Sequence, residues 1–257
     1  MNREMNFAGS FYPNSCETIK DYISAFNSVK IKTAQPKFVP KAIISPHAGY
    51  VYSGFTANMV YKVISKYNFK RVVVIGPSHH HYSKKASVGL YDKYNTPCGD
   101  LDIDLEYSKK LIEKYDILTF IKEMHKEHST ETQIPFIKHY LPDAKVVEIV
   151  YGDIDYKSLV PILKEIIDEP NTLIVISTDL SHFHTLEVAN QIDNICIKGI
   201  KELNISTLEK GCEACGIIGV KAIVSVTNES LIADYRTSYD ASGDSQRVVG
   251  YLSVFLR

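Results

Sequence analysis

Three apolar runs in this chain end on histidine. The run AIISPH closes on His47, VVVIGPSH on His79, and LIVISTDLSH on His182, with Asp179 three residues before it. Neutral imidazole binds divalent transition metals, and its pKa near neutrality also suits proton transfer. A single histidine after a strand is an ordinary loop residue, but three at matching positions point to a shared site. His79, His80 and His81 are consecutive. Neighbours in an extended segment face opposite sides, so all three cannot serve one ion. Either His79 or His80 is placed to coordinate, with His81 facing solvent or supporting a ligand.

Sulfur donors come from GCEACGIIGVKAIVSV. Cys215 precedes an apolar helical pattern, and a helix start stabilises a thiolate. Cys212 and Cys215 form a single C-x-x-C, which reads as a redox pair, half a zinc site, or small residues packing a helix start. His125, His128 and Glu131 have H-x-x-H-x-x-E spacing, which would place them on one helical face. That spacing is not the H-E-x-x-H of zinc proteases. Tyr50 and Tyr52 follow His47 in GYVYSGF, where they either line a pocket or pack on the next helix. With His80 and Glu131 they complete the candidate substrate pocket. The chain carries no P-loop, no G-x-G-x-x-G opening a helix and no G-x-S-x-G elbow, which argues against those nucleotide and hydrolase chemistries.

The elements that must carry these residues follow from periodicity. Strands are predicted over 41–45, 71–76, 145–151, 172–177, 230–237 and 247–256, with short strand pieces within 85–103. Helices are predicted over 54–67, 104–115, 156–168, 186–203 and 216–228. Asp104 is a candidate N-cap, and Thr130 with Gln133 has capping-box spacing ahead of IPFIKHYL, where Pro135 complicates the helix start. Several strands are continuous apolar runs, which implies cover on both faces and a largely parallel sheet. The two closing strands lack a predicted helix between them and are expected to be antiparallel. The expected fold is a single α/β domain over 1–257, a central mixed and largely parallel sheet flanked by helices. In such sheets ligands gather at the carboxyl ends of the strands, so distant histidines can meet there.

Bulk properties narrow the function class. The chain has 257 residues, 45% of them hydrophobic, enough for one substantial core. Its 29 basic and 30 acidic residues leave a formal charge of −1, so nucleic acid is not an expected partner. No apolar stretch has the length of a membrane span, and MNREMNFAGSFYP does not have the form of a secretory signal. Five cysteines in a chain of this size favour reduced thiols and a cytoplasmic location over a disulfide framework.

Six motifs together resemble the Memo family: AGSFYP (8–13), SPHAGYVYSG (45–54), GPSHH (76–80), EHSTETQIPF (127–136), STDLSH (177–182) and ACGIIGV (214–220). They span nearly the whole chain. That family is similar in turn to the class III extradiol ring-cleavage dioxygenases, which use non-haem iron. The resemblance implies an α/β fold with a metal pocket at one edge of the sheet. It implies His47 and His79 as metal ligands, and so selects His79 from its neighbours, with Cys215 as the third ligand. Asp179 and His182 would line the pocket, His182 as acid or base, and His128 would be a further pocket histidine. The implied function is a metal-dependent oxidoreductase with an unidentified small-molecule or peptide ligand. The expected ion is Fe(II), with Cu or Zn as alternatives. A binding module taking a phosphopeptide or small anion in the same pocket is the alternative function. The dioxygenases use two histidines and a carboxylate, so a thiolate here means that ring opening does not carry over directly.

Overall fold

Strand and helix alternate because the apolar residues follow two periods. The model is a computed structural model, and it describes residues 1–31 and 33–257. The first part of the chain contains β1 (Asn2–Arg3), α1 (Cys16–Ser28), β2 (Ala42–Ser45), α2 (Tyr50–Ile64) and β3 (Arg71–Pro77). There follow β4 (Ala86–Val88), β5 (Lys93–Tyr94), β6 (Leu101–Asp102), α3 (Leu105–Lys114), β7 (Leu118–Thr119), α4 (His128–Glu131), α5 (Ile134–Tyr140) and β8 (Lys145–Tyr151). The last part contains α6 (Val160–Asp168), β9 (Thr172–Ser177), β10 (His182–His184), α7 (Leu186–Lys201), α8 (Ile205–Leu208), α9 (Ile217–Val224), β11 (Ser230–Thr237), α10 (Tyr239–Ser242) and β12 (Val248–Leu256).

The main sheet runs β10-β12-β2-β9-β3-β8-β4-β7, with β11 also paired to β12. Its centre, β2-β9-β3-β8, is parallel throughout. The closing pair β11 and β12 is antiparallel as expected, although the connection does contain a helix, the one-turn α10. Side chains on the central strands alternate between two cores. Val73, Ile75, Val147, Ile149, Ile174 and Ile176 pack with α6, α7 and α9. Val72, Val74, Val146, Leu173 and Val175 pack with α1, α2 and α5. Burial on both faces is why these strands read as unbroken β-branched runs. Because β2, β9 and β3 are parallel neighbours, their carboxyl ends lie side by side, and the loops bearing His47, Asp179 and His79 leave from one edge.

Local chemistry sets the helix boundaries. Asp104 caps α3 by accepting from the Tyr107 N–H. Thr130 and Gln133 do not form the expected capping box. Glu127 caps α4 by accepting from the Ser129 N–H at 3.1 Å, and α5 starts afresh with Pro135 in its first turn. Helix α2 starts at Tyr50, four residues before the predicted start, because Tyr50 is buried and stacks on Phe136 at 4.7 Å. No helix among the described residues is long and apolar enough to cross a membrane.

The reduced-thiol expectation is overturned. Cys16 is bonded to Cys98 and Cys196 to Cys212, which leaves Cys215 free. Pairing depends on which loops the fold brings together, and residues 82 apart in sequence meet in the first bond. The C-x-x-C is therefore not a redox pair, and thiol content no longer argues for a cytoplasmic location.

A buried charge cluster fastens the amino-terminal segment. Arg3 lies between Glu131, at 3.0 Å, and Glu148, at 3.5 Å, and all three side chains are buried. Glu148 also accepts from Thr130 and Tyr94 and sits 2.7 Å from His125 Nδ1. Burial alone would raise the Glu148 pKa. The Arg3 charge and then His125 outweigh it, bringing the carboxyl from 4.5 down to about 2.

Two outcomes are expected. Alkylation of denatured, unreduced protein should label one thiol by mass spectrometry, and five after reduction. Glu148→Gln should lower stability at neutral pH by about 3–5 kcal/mol in urea titrations, because Arg3 loses a buried counter-charge. A carboxylate with a depressed folded pKa stabilises fully above its unfolded value and loses this as pH falls. The gap between wild type and variant should therefore close as pH drops from 4.5 towards about 2.

Candidate metal centre

The strand-edge loops bring His47, His79 and Cys215 together, and their potential ligand atoms lie within 4.8 Å of one another. His47 follows β2, His79 follows β3, and Cys215 stands two residues before α9. His47 Nε2 is 3.3 Å from Cys215 Sγ. Two atoms bound to one tetrahedral ion at roughly 2.0–2.3 Å are themselves about 3.3–3.7 Å apart. The spacing and the donor types therefore fit a transition-metal ion.

Hydrogen bonds fix which nitrogen each ring offers. Ser177 Oγ donates its only proton to the Ser129 carbonyl and accepts from Gln133 Nε2 at 2.8 Å. It can only accept from His47 Nδ1, 2.9 Å away, so that nitrogen carries the proton. Glu127 acts in the same way on the second ring. Its Oε1 lies 2.9 Å from His79 Nδ1 and 3.0 Å from His128 Nδ1, and an ionised carboxylate only accepts. In all three imidazoles Nδ1 donates. Nε2 then keeps its lone pair in the neutral ring, as a metal ligand requires.

Glu127 is the centre of this arrangement. Its Oε2 also accepts from the His79 backbone N–H at 2.7 Å. Burial works against its charge, but hydrogen bonds from His128 and His79 outweigh burial and hold it well below the usual carboxylate range. His79, Glu127 and His128 also form a cluster of potential metal ligands. With Oε1 already accepting from both rings, that cluster is better described as a hydrogen-bond hub than as a second cation seat.

The sulfur is positioned from β9. Asp179 N–H donates to Cys215 Sγ at 3.3 Å, and Cys215 N–H donates to the Asp179 carbonyl at 3.2 Å. Gly216 lets the two segments approach this closely, since a Cβ there would lie 2.6 Å from Thr178 Cβ. Burial pushes the Cys215 thiol up to about 12, and the Asp179 carboxylate adds to the shift. A coordinated cation acts in the opposite direction and deprotonates a thiol. Burial, then His128 and His79, lowers the His47 pKa and keeps its ring neutral.

The remaining candidate residues occupy distinct places. His128 stacks on His79 at 4.4 Å and lies 4.5 Å from the Phe11 ring. His182 is partly buried at the start of β10 and near enough to His47 and Asp179 to influence their protonation. Asp179 Oδ1 accepts the His47 backbone N–H at 2.8 Å, and no Asp179–His182 hydrogen bond forms among the described residues. His80 is exposed, 6.4 Å from His128 between ring centroids. Tyr52 is 44% exposed and lines a cleft of about 500 Å³ with Phe11 and Gly49. Tyr50 borders the same cleft, but its hydroxyl donates to the Thr132 carbonyl and its ring belongs to the core.

Two expectations are corrected. His125, His128 and Glu131 do not share a helical face, because His125 ends a separate 3-10 turn and pairs with Glu148. Glu131 does not line the pocket. It is fully buried, and it accepts from Arg3, from Tyr12 OH and from the N–H groups of Asn6 and Phe7. Sequence reasoning missed Glu127, Ser177 and Gln133. The one available signal was Glu127 next to His128 in a polar stretch between apolar segments.

A family model described as "Memo-like protein" matches residues 3–255. The chain is 35% identical over 269 residues to a "MEMO1 family protein" of Aquifex aeolicus, covering 98% of each. It is 32% identical over 278 residues to one of Methanobrevibacter smithii, covering 98% of this chain and 99% of the relative. Another from Methanococcus maripaludis is 32% identical over 286 residues, covering all of both.

Loss of the Glu127 acceptor should be measurable apart from folding. Glu127→Gln is expected to weaken Co(II) affinity about 10–100-fold, the usual effect of removing a partner behind a ligand. Competition titration against a chelating dye checks this, and unchanged affinity would contradict the assigned role.

Proposed function

The chain belongs to the Memo-like family, and we propose that it holds one redox-capable metal ion through His47, His79 and Cys215 and works as an oxidoreductase. The observation that carries this reading is the meeting of one ring nitrogen from each of two histidines and one Sγ within 4.8 Å, with His47 Nε2 3.3 Å from Cys215 Sγ and both Nδ1 atoms already engaged. Fe(II) is the proposed ion, with Cu or Zn as alternatives, since sulfur and imidazole together suit these metals better than Mg or Ca. Fe or Cu would supply electron exchange with dioxygen or with an oxidisable substrate, whereas Zn, which does not change oxidation state, would supply Lewis acidity only.

The chain's own residues do the rest. Ser177 and Glu127, each bonded to an Nδ1, set which ring nitrogen His47 and His79 turn towards the ion. Asp179 fixes the loop of His47 through its backbone N–H and the position of Cys215 through its own. We assign His182, partly buried at the start of β10, the role of taking or giving a substrate proton. His128 offers a second nitrogen base, with Phe11 shielding one side of its ring. The sulfur donor distinguishes this set from two histidines and a carboxylate, so catechol ring opening is not part of the proposal.

Protein purified anaerobically should contain about one metal ion per chain by mass spectrometry, as a three-ligand site requires. Cys215→Ala and His79→Ala should lose it while keeping their secondary structure. Unchanged metal content in both variants would end the proposal.

A further inference from the structure

A second cleft, of about 320 Å³, is lined by Tyr52, Phe183, Arg247 and Tyr251 among others. Tyr52 also borders the cleft at Phe11, so it is a wall common to both. Phe183 directly follows His182, with ring centroids 5.8 Å apart. His182 pairs with Val249 across β10 and β12, and Arg247 stands just before β12. The cleft therefore adjoins the side of the metal centre where His182 lies.

Phe183 is held there at a cost. Its φ is 63°, in the left-handed region that non-glycine residues rarely adopt, and it is 62% exposed. An aromatic residue gains nothing for stability from that combination, and strain of this kind gathers at binding sites. Arg247 lies over its ring, 5.0 Å from the centroid. Among the described residues the Arg247 guanidinium has no hydrogen bond and no ion pair. The acid on the same cleft, Asp244, accepts from the Gln246 N–H at 2.8 Å. The polar floor is also engaged, since Ser238 Oγ accepts from Val249 N–H and Ser242 Oγ donates to the Ser238 carbonyl. What remains is an exposed guanidinium without a partner among the described residues, 5.0 Å from the Phe183 ring and beside the aromatic walls of the cleft.

We propose that this cleft binds the substrate as an organic carboxylate with a flat apolar body: the carboxylate pairs with Arg247, and the body lies along Phe183 and Tyr52 with its far end towards His182. A guanidinium fork matches a carboxylate in two parallel hydrogen bonds, which a neutral amide does not reproduce. Aromatic side chains contribute contact area at low entropic cost and select flat ligands. That the ligand is a substrate rests on the oxidoreductase reading; that it binds here rests on the cleft alone.

The probes are 3-phenylpropanoate and its uncharged amide, titrated calorimetrically into purified protein whose metal content is measured in the same samples. The acid should bind at least about tenfold more tightly than the amide. Arg247→Gln should bring the acid to the level of the amide, and Arg247→Lys should recover part of the difference. Phe183→Gly should raise the melting temperature, by relieving the left-handed strain, and weaken binding of both probes. No binding of the acid, equal binding of acid and amide, or binding unchanged in Arg247→Gln overturns the proposal. Metal content should be the same in wild type and Arg247→Gln. Wild-type protein that prefers the acid but takes up no metal even after anaerobic loading would refute the oxidoreductase reading and leave the cleft assignment standing.

Discussion

Two Nδ1–H hydrogen bonds, His47 to Ser177 and His79 to Glu127, set the direction of everything else at this site. An imidazole has one lone pair to offer when neutral, and the partner of the other nitrogen decides where it points. Ser177 accepts because its own proton is spent on the Ser129 carbonyl. Gln133 holds Ser177 in turn, and Tyr61 OH donates to Gln133 Oε1 at 3.0 Å. This chain of contacts links the ligand ring to a side chain in the core beneath the sheet. A shift in any member would rotate a ring away from the shared position.

The sulfur is the unusual member of the set. In the protein without a cation, burial and Asp179 both favour the neutral thiol. The thiolate becomes favourable when positive charge stands beside it, so an ion bound under the proposed reading would couple its own binding to deprotonation of Cys215. Buried neutral His47 fits the same logic, since another fixed positive charge would oppose the ion. Asp179 is a carboxylate beside this group, but its Oδ1 holds the His47 backbone, and it is the Cys215 sulfur that faces His47 Nε2.

The parts of the fold that were legible share one property: each was decided by its own residues. Strands β8, β9 and β11 run over the predicted residues because burial on defined faces leaves a period that can be read. Helix α1 buries only Ile19 and Ile23, too narrow a stripe to stand out, and β10 is a three-residue strand made by its pairing with β12. The meeting of strand-end histidines followed from the parallel sheet. Preferring His79 to His80 needed the family resemblance, because both are histidines and sequence does not say which of two neighbours facing opposite sides turns inward. Glu127, Ser177 and Gln133 were not legible, since acceptors behind a ligand have no spacing rule. Glu131 was misplaced because sequence showed a carboxylate at helical spacing from two histidines. The fold instead used it to bind Arg3, Tyr12 and the amino-terminal backbone. Cysteine pairing was opaque for a related reason, as Cys16 and Cys98 meet only through tertiary structure.

The most direct measurement is a crystal structure of the anaerobically metal-loaded protein, with data collected at the absorption edge of the bound metal. The account predicts one anomalous peak within bonding distance of Nε2 of His47, Nε2 of His79 and Sγ of Cys215, with both Nδ1 atoms still on Ser177 and Glu127. A peak bonded to either Nδ1, or a fully loaded protein with its metal remote from residue 215, would contradict it.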